Sequence, residues 1–170
     1  MIEDFDRKTT CSFTGHRLFS WGRNEFDDRC VKTKKAVERA VKKAYDLGFR
    51  TFLNGMAIGG DMMCAEIVLA FKKKHKDAQL VCVLPCLDQE KRWCEKDRNR
   101  YQCILSQVDN IVCLADSYYN GCMQARDKYL VDNASRLIAI FTGKRGGTSL
   151  TVGLAIKAGI DIEIINPENL

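Results

Sequence analysis

The sequence predicts an α/β domain: doubly wound, Rossmann-like, with a mainly parallel sheet of five to six strands and helices on both faces. Three observations predict it. Short apolar runs alternate with longer amphipathic ones along the whole chain, as repeated βαβ units do. The runs LVCVL, IVCL and LIAIF are apolar throughout, as strands covered on both faces are. Glycine-containing segments close several short runs just where strand-to-helix turns belong.

The elements follow in order. Residues 9–14 read as the first strand, ending in Gly15-His16-Arg17. Over residues 27–47, Val37, Ala40, Val41, Ala44 and Leu47 recur at helical spacing, and Gly48 stands where a helix C-terminus wants a left-handed residue. Residues 49–53 form the second strand, closed by Asn54-Gly55. A helix over 61–74, a third strand over 79–84 stopped by Pro85, and a polar helix over 88–105 come next. The fourth strand spans 111–114, a short helix 123–133 and the fifth strand 137–141. A glycine-rich turn at 143–147 opens a helix over 149–158; Gly159 ends it and residues 160–165 make a last strand. Residues 1–8 are expected to be a loose arm, and 9–170 a single domain, because 170 residues suffice for one core.

Composition excludes several classes. With 46% hydrophobic and 29% charged residues, the chain is not a disordered polymer. No apolar run reaches the 18 or so residues a membrane span needs, and the N-terminal MIEDFDRKTT lacks the apolar core of a secretory signal. Nine cysteines, an odd number without a Cys-x-x-Cys, read as free thiols in a reducing cytoplasm rather than as a disulfide framework or metal centre. Cys11, Cys82 and Cys113 lie in apolar runs and behave as small hydrophobes. Net charge is +5, part of it in Lys72, Lys73, Lys74 and Lys76, which read as a solvated helix end favoured by the helix dipole or, alternatively, as an anion or nucleic-acid patch.

In open parallel sheets ligands bind beyond the carboxyl ends of the strands, so the loops after each strand carry the chemistry. In the first, Gly15 lets the backbone approach a ligand and Arg17 offers a planar fork for phosphate; His16 binds, acts as acid or base, or caps. The second runs Asn54-Gly55-Met56-Ala57-Ile58-Gly59-Gly60-Asp61 and suits a phosphate cradle at a helix N-terminus. Asp61 is either that helix's N-cap or a ribose contact. The third runs from Gly143 through Gly146, Gly147 and Thr148, again opening a helix. The fourth follows Pro85 and holds Gln89 and Trp93, the latter either core packing or a stacking surface for a base. Arg126 and Asn133, on the helix before the fifth strand, either reach over the strand ends or face solvent. Glu66 and Asp61 are the weak candidates for a catalytic carboxylate; no nucleophile elbow or His-x-x-x-His is present.

Taken together, Cys11 to Arg17, Asn54 to Asp61 with Ala65-Glu66, Leu84-Pro85 with Gln89 and Trp93, Arg126 to Asp132, and Leu137 to Ile140 with Gly146-Gly147-Thr148 form a specific set. It resembles the YpsA-like family of the SLOG superfamily, which also holds the DprA DNA-processing proteins and the LOG phosphoribohydrolases. The resemblance implies a Rossmann-like protein binding a nucleotide, NAD or ADP-ribose-type ligand as a sensor or regulator, and makes a homodimer a fair expectation. The LOG enzymes carry a catalytic glutamate three residues after the loop threonine; Thr151 stands there in this chain, which counts against N-glycosidic hydrolysis. DprA-like binding of single-stranded DNA is a further expectation, limited by the small basic excess.

Overall fold

β1 (Thr10–Gly15) alternates its side chains between two cores: Cys11 and Phe13 join one apolar cluster, and Ser12 and Thr14 face the opposite side of the sheet. The structure, a computed structural model, describes residues 4–170. α1 (Asp28–Asp46) begins at Asp27, whose carboxylate accepts the Arg29 N–H, and stops before Gly48 at φ +102°. β2 (Thr51–Asn54), α2 (Gly60–Lys72), β3 (Gln79–Leu84), α3 (Glu95–Leu105), β4 (Asn110–Cys113), α4 (Cys122–Asp132), β5 (Arg136–Ile140), α5 (Gly147–Ala158) and β6 (Asp161–Ile165) continue the alternation.

The six strands form one all-parallel sheet in the order β4-β3-β2-β1-β5-β6. The chain therefore walks outward from β1 to β4, returns across the sheet, and walks outward again on the other side. Right-handed crossovers then place α1, α2 and α3 on one face and α4 and α5 on the other. The larger core lies under α1–α3 and includes Phe13, Phe52, Leu80, Met62, Tyr101 and Ile138. Two smaller clusters lie under α4 and α5, around Leu53, Val81 and Leu130, and around Leu137, Val152 and Ala155. The order reverses between β1 and β5, whose register sets Gly15 opposite Ile140. That pair of strand ends is the topological switch point, where such sheets leave a crevice.

Four readings need correction. IVCL is not buried on both faces: β4 is an edge strand, only Val112 is buried, and Ile111 and Cys113 are exposed. The helix expected over 88–105 begins only at Glu95, because residues 88–93 form turns closed by Lys91 N–H to Asp88 O and Trp93 N–H to Glu90 O. Leu47 sits on the C-cap and is exposed rather than on the buried stripe. The arm expected at 1–8 is tied down where it is described: Phe5 packs on the Leu53–Val81 cluster, Asp6 caps a short 3₁₀ turn, and Arg7 donates to the Ala134 carbonyl at 3.4 Å. Residues 1–3 of that arm lie outside the described residues.

Candidate functional site

Backbone proximity explains most of the glycines after β1 and β2. The Gly60 N–H donates to the His16 carbonyl at 3.0 Å, and a Cβ on Gly60 would lie 2.9 Å from the Gly15 Cα. Gly59 has φ +88°, and a Cβ there would meet the Arg17 carbonyl oxygen at 2.5 Å. Two loops thus dock backbone to backbone, with no room for a methyl group. This occupies the Gly60 amide, one of those that the sequence suggested would cradle phosphate, and two more are spent inside the loop. Met56 N–H goes to Asn54 Oδ1 at 2.8 Å and Ala57 N–H to Asp61 Oδ2 at 3.1 Å. Asn54 also donates to the Asp61 carbonyl at 2.7 Å, which holds Met56 at φ +57°. The second loop is thus in part a scaffold, while the N–H groups of Gly59 and Asp61 at the start of α2 have no acceptor among the described residues.

Asp61 is not the N-cap of α2. That position is Gly59, which has no side chain to offer. Asp61 sits inside the first turn, 4% exposed, with one oxygen on Ala57 and the other, Oδ1, buried without a partner among the described residues. Burial pushes its carboxyl up to about 6, against the opposing pull of the Arg126 guanidinium. Arg126 is itself buried: Nη1 donates to the Gly55 carbonyl at 2.5 Å and Nε to Asp127 at 2.7 Å. Gln89 reaches the Gly55 and Met56 carbonyls at 3.4 and 3.3 Å from the other side. The solvent-facing reading of Arg126 is therefore replaced by a clamp on the second loop, and its charge still borders the crevice.

The loop after β5 supplies unspent donors. Ser149 Oγ accepts the Gly146 N–H at 2.9 Å and donates back to the Gly146 carbonyl at 2.7 Å, closing the start of α5. The N–H groups of Gly147 and Thr148 have no acceptor among the described residues. They are the positive end of α5 and face the switch point. Thr151, at the position of the LOG glutamate, is fully buried and donates to the Gly147 carbonyl at 3.0 Å, so it brings no acid to the crevice. His16 ties this loop to β1: its Nε2 accepts the Thr142 N–H at 3.1 Å, which leaves the proton on Nδ1. Burial, then the Lys144 charge, hold its pKa below the usual imidazole value.

These groups enclose a crevice of about 280 Å³. Gly15, His16, Arg17, Ala57, Asp61, Arg126, Gly146, Gly147 and Thr148 all line it. Arg17 is exposed at its mouth and forms no side-chain bond among the described residues. Gly55, Met56 and Gly60 are buried behind the wall, and Gly59 is half-buried and lines a neighbouring cavity. Trp93 packs edge-on against Tyr101 with ring centres 5.2 Å apart, and with Gln89 borders an adjoining cavity; Pro85 is buried before them. Gly143 turns at φ +90° outside the crevice. Asn133 ends α4 just before β5, at the opposite end of the strands, bonded to Tyr129 O at 2.9 Å and away from the crevice. Glu66 is held by Nε and Nη2 of Arg100 and lines a neighbouring cavity beside α3, not the crevice. The lysines after α2 also sit at the far end of the sheet, with Lys72 paired to Asp109. Met123 and Gln124, absent from the sequence reading, and Asp127 and Leu130, which it held only within the Arg126 to Asp132 segment, add to the crevice wall from α4.

The sequence profile YpsA, described as the YspA SLOG family, matches residues 11–166. The chain belongs to that family. Relatives with the same architecture of sequence include UPF0398 protein BH1768 of Halalkalibacterium halodurans, 29% identical over 167 residues, with 94% of this chain and 88% of the relative covered. UPF0398 protein YpsA of Bacillus subtilis is 25% identical over 150 residues, covering 86% and 83%. The fold is similar to that of two solved structures. DNA processing protein A of Helicobacter pylori, known for its single-stranded DNA binding mode, superposes with a TM-score of 0.66 at 16% identity over 94% of this chain. DprA of Streptococcus pneumoniae gives 0.63 at 16% identity over 92%. This chain spans 66% and 50% of those two chains. No helix among the described residues is long and apolar enough to cross a membrane.

Proposed function

We propose that this YpsA-family protein is a cytoplasmic sensor or regulatory protein that binds a phosphate-bearing, nucleotide-derived ligand, of the NAD or ADP-ribose kind, in the switch-point crevice. One observation carries the reading: Gly147 and Thr148, whose amides have no acceptor among the described residues, line the same cavity as Asp61, whose buried Oδ1 has no partner among them. The amides suit a phosphate, through hydrogen bonds and the α5 dipole. A buried carboxylate oxygen repels a phosphate but accepts from hydroxyls, as ribose offers. Arg17 adds a second phosphate contact from the mouth. Cytoplasmic residence fits the nine unpaired thiols.

The test is thermal shift against AMP, NAD, ADP-ribose and a single-stranded oligonucleotide, repeated with Arg17→Ala. A small-molecule hit at a hundredfold excess over its Kd adds about 2.7 kcal/mol of stability. The alanine variant should keep its own stability within about 0.5 kcal/mol, since Arg17 has no internal bond, and lose about ten- to a hundredfold in affinity. Undiminished binding in Arg17→Ala, or a response to the oligonucleotide alone, overturns the reading. A second reading, slow hydrolysis of the ligand, is favoured only by Asp61, a buried carboxyl with a pKa near the working range of an acid or base. Release of free base from a bound nucleotide, abolished in Asp61→Asn even at saturating nucleotide, would support it.

A further inference from the structure

We propose that the crevice is one half of a bilobed site, and that its second lobe holds the aromatic base of the same ligand by stacking. This rests on the phosphate and ribose reading of the crevice and adds where the base lies and how it is recognised. The lobe is the adjoining cavity of about 400 Å³ over the ends of β3 and β4. It shares two walls, Arg17 and Met123, with the crevice. At about 280 Å³ the crevice alone falls short of the ordinary range for small-molecule sites, roughly 300–1,000 Å³. The pair falls inside it.

Direction follows from the donors. Phosphate at the N-terminus of α5 lies beyond β5, and Asp61 meets the ribose further along, at the start of α2. A 5′-nucleotide continuing the same way along the strand ends passes Met123 and enters the lobe. Two aromatic rings wait there. Trp93 is braced from one side by Tyr101. Tyr118 is 62% exposed, and its position is fixed by its N–H on Asp88 Oδ1 at 3.1 Å. Its ring stacks on no other ring among the described residues. An exposed tyrosine beside a braced tryptophan is what base stacking uses. The lobe's buried amide, Gln89, already directs its donors to the Gly55 and Met56 carbonyls. Base-edge reading is therefore weak, and stacking area rather than base identity sets affinity. Lys91 and Arg92 flank the opening and add a cationic face to the stack.

The experiment compares AMP with ribose 5-phosphate, which has the phosphate and sugar without the base. The protein has two tryptophans, so Trp21→Phe leaves Trp93 as the sole indole emitter; Trp21 stacks on Phe19 outside both lobes, at 4.5 Å. Both compounds should raise the melting temperature, AMP should bind at least about tenfold more tightly, and only AMP should quench Trp93. Tyr118→Ala, on an exposed position of the otherwise unchanged chain, should weaken AMP about tenfold and leave ribose 5-phosphate unaffected. Equal affinities with undisturbed Trp93 emission, or an AMP affinity indifferent to Tyr118→Ala, overturn the second lobe while leaving the crevice in place. Stabilisation by neither compound overturns the crevice reading and the lobe with it.

Discussion

Asp61 carries the sharpest residue-scale expectation. Its folded pKa of about 6 stands above the ordinary 3.8, so between those values the folded chain holds the extra proton and loses stability as pH rises. Asp61→Asn does not titrate and keeps an acceptor for the Ala57 N–H. Urea titrations of the two proteins at pH 4 and pH 7 should therefore diverge by about 2–3 kcal/mol, with the parent losing ground at the higher pH. Ligand affinity should run the other way, because ribose hydroxyls donate more strongly to the ionised acceptor: binding weakens as pH falls through 6 and is weaker, though still saturable, in Asp61→Asn. No divergence would mean that Oδ1 is solvated, and one of the opposite sign that the Arg126 charge outweighs burial. The sequence showed Asp61 and Arg17 as polar groups at strand ends. It could not show that Arg126 turns inward, since a helix arginine reads as exposed unless its carbonyl partner, here Gly55, is known to lie opposite.

Among elements, the glycines and His16 decide how the loops hold together. Gly60→Ala sets a methyl 2.9 Å from the Gly15 Cα, backbone that cannot step aside. It should cost about 2 kcal/mol or more and lower the melting temperature by several degrees, whereas Gly147→Ala, with open space around its Cβ position, should cost far less. Equal losses would contradict the docked loops. His16 titrates oppositely to Asp61. Its depressed pKa means that the unfolded chain takes the proton first, so the stability it provides is present above the usual 6.5 and is lost as pH falls below it. His16→Ala strands the Thr142 N–H, should cost about 1–2 kcal/mol at pH 7.5, and should flatten that acid limb in equilibrium unfolding. Periodicity located α1, α2 and α5 because each shows a helical stripe or a glycine boundary. It overran α3, where Gln89 is drawn down onto the second loop and forces turns in place of the first helical turns.

At the scale of the molecule, alternation along the chain was enough to define a parallel sheet, and the strand order was not legible. Nothing local in β4 tells it to stop the outward walk, nor β5 to pair with β1; that follows from which faces remain to be covered. IVCL shows the cost of this blindness, since an edge strand and a central one share the same apolar spelling. The cysteines offer a global check. Six are buried, and burial pushes Cys11, Cys82 and Cys86 up to about 12, so the native fold should yield only Cys94, Cys103 and Cys113 to iodoacetamide. Mass spectrometry finding six or more labels on the folded chain would contradict the packing described. One hydrogen bond turns the same architecture into a clock. The Gly60 N–H bridges two loops that no helix or strand ladder joins, so its deuterium exchange counts the moments when those loops part. Anything that settles across Arg17 and Asp61 has to wait for, or suppress, those moments, and the exchange rate at that single amide would register which.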